Sequence, residues 1–150
     1  MQLLNSFLIK QIDSNTTHLI RGPILRPRKP LKTCIFDGDD LKDTIHLGIY
    51  HSDILVGVVT FLNKPQDLLS SEKQYQLRGM AVLESYQRQG LGNMLIAHGE
   101  QLLKKQNVNT IWCNAREIAL KFYIKNGFKI IGNPFNIKGI GTHYVMFKNI

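Results

Sequence analysis

A strand-like run, Gln76-Leu77-Arg78-Gly79-Met80-Ala81-Val82-Leu83, leads within a few residues to Gln87-Arg88-Gln89-Gly90-Leu91-Gly92, and a helical pattern begins at Leu91. That junction restricts the chain to folds in which a sheet strand feeds a glycine-rich helix start. The first backbone N–H groups of a helix have no intrahelical acceptor and sit at the positive end of its dipole, so they suit a phosphate or pyrophosphate. Gly90 and Gly92 lack a Cβ, so a ligand oxygen can approach the main chain and either residue can take a positive φ. The alternative is a tight turn whose glycines serve packing alone. A dinucleotide fold would require Gly-x-Gly-x-x-Gly and an acidic residue about 20 positions on. Here Gly90-Leu91-Gly92 is followed by Asn93-Met94-Leu95, and the stretch Thr110-Ile111-Trp112 has no carboxylate. A P-loop is excluded because no Gly-Lys-Ser/Thr closes the loop.

The surrounding pattern predicts an α/β or α+β sandwich built on a βαβ unit with strands added on both sides. An early strand is expected over residues 7–12, then a helix starting near Ser14 or Asn15. Residues 44–49 and 54–62 read as paired strands joined by a polar turn, Tyr50-His51-Ser52-Asp53, and residues 64–73 as a polar loop. After the glycine loop, Leu91, Met94, Leu95, His98 and Leu102 follow the spacing of one face of an amphipathic helix. On that stripe His98 reads as a core histidine. Residues 108–113 form a β-branched run, hence a strand. A second helix is expected over residues 116–125, stopped by Asn126-Gly127. Residues 128–131 and 143–148 are expected to close the sheet around a Gly- and Pro-containing loop.

The chain's 150 residues, 43% hydrophobic and 20% charged, fit one globular domain spanning 1–150. No apolar run approaches the roughly 18 residues of a membrane span. Residues 1–7 lack the basic and apolar regions of a signal peptide. Cys34 and Cys113 show no metal spacing and read as reduced thiols of a cytoplasmic protein. Lys plus Arg outnumber Asp plus Glu by 19 to 11, a net +8, which favours anionic partners. The densest patch, Arg26-Pro27-Arg28-Lys29-Pro30-Leu31-Lys32, reads as a solvated loop or as a nucleic-acid contact. No aromatic-interleaved strand supports the second reading. A homodimer is compatible with the sequence, which carries no signal for oligomeric state.

A second motif follows: Asn114-Ala115-Arg116, Ala119, then Phe122-Tyr123-Ile124-Lys125-Asn126-Gly127-Phe128. With Gln-x-x-Gly-x-Gly at residues 87–92, it resembles the GCN5-related N-acetyltransferase (GNAT) superfamily, clearly over residues 76–128. The resemblance implies a mixed sheet of six to seven strands, helices on both faces and a splayed pair of central strands. It implies acetyl-CoA as cosubstrate, with neither a metal nor a covalent enzyme intermediate. By position, Met80, Ala81 and Val82 would pair with the pantetheine arm, and the Val82 N–H would polarise the acetyl carbonyl. Gln87, Arg88, Gln89, Gly90, Leu91, Gly92 and Asn93 would hold the pyrophosphate. Asn114 would contact the cofactor arm, and Tyr123 would act as general acid toward the departing thiolate. The other reading of Tyr123 is a half-buried aromatic on the helix face.

An amine must lose a proton before it attacks a thioester. The strand position where some members carry a glutamate base is Gln76 here. Glu72 and Glu84 lie nearby in sequence, and His46 and His143 sit on other strands; His143 is the preferred base, with a water chain as the alternative. Gln76, Arg78, Met80 and Val82 alternate onto one strand face. Arg78 would bind a substrate carboxylate there, helped by Arg116 from the next helix start, or else be held in an ordinary ion pair. The expected acceptor is a small-molecule amine with an acid group. The rivals are a non-catalytic acyl-CoA-binding module and a basic nucleic-acid-binding domain.

Overall fold

Alternating apolar residues build a seven-stranded sheet in the order β1-β2-β3-β4-β5-β7-β6. The strands are Phe7–Gln11 (β1), Ile45–His51 (β2), Ile54–Asn63 (β3), Gln74–Val82 (β4), Thr110–Arg116 (β5), Lys129–Ile137 (β6) and Gly141–Asn149 (β7). The helices are Ser14–Leu25 (α1), Leu91–Lys105 (α2) and Leu120–Lys125 (α3). This computed structural model describes residues 6–150; most of the stretch read above for a signal peptide, residues 1–5, lies outside them. The β2–β3 turn is tighter than expected. Only Ser52 and Asp53 form it, with φ of 47° and 72°, the left-handed pair that a two-residue hairpin loop requires.

All neighbouring strands run antiparallel except β4 and β5. Those two are parallel because α2 connects them as a crossover. They pair only at Gln74↔Thr110, Tyr75↔Ile111 and Gln76↔Trp112, and then part. This is the splay that the resemblance implies.

A bulge in β4 shapes one side of the gap. Thr60 faces Arg78 and Val58 faces Ala81, so Gly79 and Met80 together oppose Val59. Gly79 takes φ of 66° there. The bulge inverts the alternation. Leu77, before it, lies in the main core with α2; beyond it, Met80 and Val82 turn to that same α2 side. Ala81 joins Ile20 of α1 and Val58 on the opposite face. The expectation that Gln76, Arg78, Met80 and Val82 share one face is therefore corrected.

Helix α2 buries Leu91, Leu95, Ile96, Gly99 and Leu103, a stripe rotated from the expected one. Gly99 explains the rotation: a Cβ there would come within 2.3 Å of the Phe61 ring. The missing side chain lets the helix seat on β3, and His98 sits half-buried at the stripe's edge. Helix α1 covers the other face, capped by Asp13, which accepts from the Thr16 N–H at 2.8 Å. Two boundaries also differ. Arg116 ends β5, ahead of a 3₁₀ turn over Glu117–Ala119. Strands β6 and β7 extend to residues 137 and 141, so the expected loop shrinks to Lys138, Gly139 and Ile140.

Candidate active site

Where β4 and β5 part, a cavity of about 360 Å³ opens. Gln76, Arg78, Gly79 and Met80 of β4 form one wall, and Cys113, Asn114, Ala115 and Arg116 of β5 the other. Tyr123 of α3 and His143 of β7 complete it, and Arg26, Phe36 and Lys64 also line it. The structure thus gathers Gln76, Arg78, Met80, Asn114, Arg116, Tyr123 and His143 around one space. Ala81, Val82 and the glycine loop lie outside it.

Tyr123 is 8% exposed and packs edge-on against Phe122 and Phe128, at centroid distances of 5.1 and 5.4 Å. Burial, and then the neighbouring Cys113, push its phenol well above the usual tyrosine range. The group therefore keeps its proton at neutral pH. His143 is buried at the other side of the gap, its Nδ1 2.8 Å from the Gly141 carbonyl. A carbonyl only accepts, so Nδ1 carries a hydrogen, and Nε2 is the nitrogen left to exchange a proton. Gln76 is 5% exposed, and its Oε1 has no hydrogen-bond partner among the described residues.

The cation content of this cavity exceeds what the sequence indicated. The guanidinium groups of Arg21 and Arg78 both lie over the Phe36 ring, 3.9 and 4.1 Å from its centroid. Arg26 approaches the same ring at 5.5 Å. Among the described residues the ion pairs are Arg21–Asp39 and Lys148–Glu100. Arg78 therefore has no carboxylate partner, and its ion-pair reading falls away. Burial, then the charges of Arg21 and Arg26, lower its pKa, with Asp39 and Asp37 offsetting only part. Phe36 and Lys64 carried no recognisable signal in the sequence. Arg26 was visible only as the first residue of the basic patch, whose residues 27–32 are exposed.

The glycine loop lies on the surface, with residues 87–90 exposed. Gly90 adopts φ of 83°, a Cβ there would meet nothing within 4 Å, and Arg88 is also left-handed at 64°. No side chain caps α2; the first helical bond at this end runs from the Met94 N–H to the Gly90 carbonyl. The N–H groups of Leu91, Gly92 and Asn93 are thus left over. The loop's own side chains turn elsewhere: Gln87 donates to the Val82 carbonyl at 2.9 Å and Gln89 to the Ser85 carbonyl at 3.4 Å. Asn93 accepts from Asn126 at 3.3 Å. Gly92 has a packing reason, since its Cβ would stand 2.8 Å from Phe122 Cζ. Nearby, Leu83 donates its N–H to Val56. By the alternation of an antiparallel ladder, Val82 then turns its N–H away from β3, toward the β5 side.

The profile of the acetyltransferase (GNAT) family matches residues 16–128. The chain is 39% identical over 142 residues to YitI of Bacillus subtilis (strain 168), an uncharacterized N-acetyltransferase, covering 95% of each. Its structure resembles a Lactobacillus plantarum protein assigned as an N-acetyltransferase, with a TM-score of 0.77, 16% identity and coverage of 97% and 99%. It also resembles an aminoglycoside 6′-N-acetyltransferase solved with coenzyme A, with a TM-score of 0.73, 15% identity and coverage of 95% and 96%. Among the described residues no helix is long and apolar enough to cross a membrane.

Proposed function

The chain belongs to the acetyltransferase (GNAT) family and is an N-acetyltransferase using acetyl-CoA; on that premise we propose that it acetylates the primary amine of a small, acid-bearing molecule by direct attack in a ternary complex. The observation that carries this reading is Arg78: part-buried, facing the cavity and without a carboxylate partner. An arginine taken from water needs an anion to offset its desolvation, and a substrate carboxylate fits its fork.

The residues present fit the cosubstrate. The uncapped start of α2 and the open space at Gly90 suit a pyrophosphate. Beyond Gln76, β4 has no strand partner on the β5 side, which suits the amides of a pantetheine arm, with Met80, Ala81 and Asn114 beside it. Acetyl-CoA supplies an acetyl group activated as a thioester. The Val82 N–H donates to the carbonyl oxygen as that oxygen gains charge. His143 Nε2 takes a proton from the acceptor's ammonium group, freeing its lone pair. Tyr123 gives its phenolic proton to the sulfur as the carbon–sulfur bond breaks, and recovers one when the new amide nitrogen loses its second proton. The balance is ammonium plus thioester to amide, thiol and one released proton. Arg116 assists Arg78 from the far wall, and Gln76 accepts a hydrogen bond from the amine.

We read residues 1–150 as one catalytic domain, and free, buried cysteines suit a cytoplasmic location. Thiol release from acetyl-CoA across a panel of cationic, neutral and acid-bearing amines tests the proposal. Turnover confined to amines without an acid group would overturn it.

A further inference from the structure

The cavity holds more cationic charge than a single acid group can match. We propose that the acceptor bears two negative charges beside its amine, as a second carboxylate or a phosphate-like group, and that Arg26 and Arg78 bind them together over Phe36. The proposal rests on the acetyl transfer assigned above and specifies its substrate class.

Four cationic side chains line the cavity, Arg26, Lys64, Arg78 and Arg116, and no aspartate or glutamate does. None of the four has an ion-pair partner among the described residues. Asp39, whose charge acts on Arg78, is already engaged. It takes both Nη atoms of Arg21, at 2.7 and 3.1 Å, and the Phe36 N–H at 2.8 Å. Those bonds hold the Phe36 backbone, and both Arg26 and Arg78 lie over its ring. Arg26 spends one donor on the Leu25 carbonyl at 3.0 Å and keeps the rest of its fork. One carboxylate satisfies one fork bidentately. The second guanidinium then stays part-buried and uncompensated, which is unfavourable. Two carboxylates, or the three oxygens of a phosphate or phosphonate, satisfy both.

The same cavity also carries acceptors for an amine. Gln76 Oε1 is a buried acceptor without a donor, and His143 meets the Gly141 carbonyl through Nδ1, which leaves Nε2 as the nitrogen to receive a proton. An ammonium group satisfies both. Gln76 and His143 thus supply acceptors for the amine, and the guanidinium groups around Phe36 supply donors for the acid groups.

Wild-type kcat/KM measured on a matched panel decides the matter. The panel comprises an amino monocarboxylate, its uncharged amide, an amino dicarboxylate and an aminophosphonate, all with the same amine. The dicarboxylate, the phosphonate or both should exceed the monocarboxylate on the order of 10- to 100-fold, the worth of an added charge-assisted contact; which of them leads identifies the second group. Arg26→Gln should collapse that ratio several-fold, and Arg26→Lys should restore part of it. Equal or lower efficiency for both dianions overturns the proposal while leaving acid-bearing amine acetylation intact. A ratio unchanged in Arg26→Gln overturns the role of Arg26. Turnover of the uncharged amide alone overturns the substrate reading of the preceding section as well.

Discussion

Arg21 and Asp39 form a two-pronged ion pair inside the protein, Nη1 to Oδ2 at 2.7 Å and Nη2 to Oδ1 at 3.1 Å. Arg21 is fully buried; it also donates to Thr60 Oγ1 at 2.8 Å and to the Cys34 carbonyl at 2.8 Å. The pair ties α1, the 34–39 loop and β3 to the ring of Phe36. Structural support and the anion-binding groups of the cavity therefore share one network.

Asp39→Asn should destabilise the protein by about 3–5 kcal/mol, because it leaves a buried guanidinium without its counter-charge. Urea unfolding measures that loss, and the acceptor KM should rise as Phe36 loosens. Burial alone would raise the Asp39 carboxyl, but the hydrogen bonds from Arg21 and the Phe36 N–H bring it below its ordinary 3.8. A lowered folded pKa means the stabilisation is complete above the unfolded pKa and disappears as pH falls through the folded one. The stability gap between wild type and Asp39→Asn should therefore narrow below about pH 4.

The two loop glycines should separate in their effects. Gly90→Ala places a side chain in open space but on a left-handed backbone, costing about 1–2 kcal/mol. Its main symptom should be weaker acetyl-CoA binding as the loop re-forms. Gly92→Ala drives a methyl into Phe122 and should cost about 1–3 kcal/mol through overpacking, seen as a lower Tm. Similar losses of acetyl-CoA affinity and no difference in Tm would contradict this division.

The strand, glycine loop and helix over residues 76–105 were legible because their periodicities and turn residues agree locally. The bulge at Gly79 was not, since a glycine in a strand pattern does not reveal which way the following residues turn. Helix α2 misled for a related reason: an apolar-residue stripe gives no weight to Gly99, whose value is the space it leaves for Phe61. Asn114 and Tyr123 were reached through the family resemblance, and both line the cavity. Phe36 and Arg26 lie far from both motifs in the chain, and only tertiary packing brings them to the cavity.

Tyr123→Phe should lower kcat by about 10²- to 10⁴-fold, the usual range for a positioned proton donor, with little change in acetyl-CoA KM or in Tm. Burial and the adjacent Cys113 hold the phenol above its ordinary 10.0. The acid form therefore persists across the accessible range, and wild-type kcat should show no alkaline fall from this group up to about pH 10. A kcat for Tyr123→Phe within a few-fold of wild type would move the proton-donor role elsewhere.

Arg78→Ala tests the acceptor end alone. The side chain lies on the α1 side of β4, stacked on Phe36, whereas the glycine loop sits outside the cavity at the start of α2. Truncation removes a charge-assisted contact worth about 1.5–3 kcal/mol, so the acceptor KM should rise roughly 10- to 100-fold. Acetyl-CoA KM should move far less, because no part of the α2 terminus depends on Arg78. Some stability should also go, about 0.5–1 kcal/mol for the lost cation–π contact, though removing a positive charge from beside Arg21 and Arg26 offsets part of it. The ratio of the two KM changes is the decisive quantity. Equal rises would mean that Arg78 only holds the cavity wall in shape, and the acid-bearing acceptor would lose its main support.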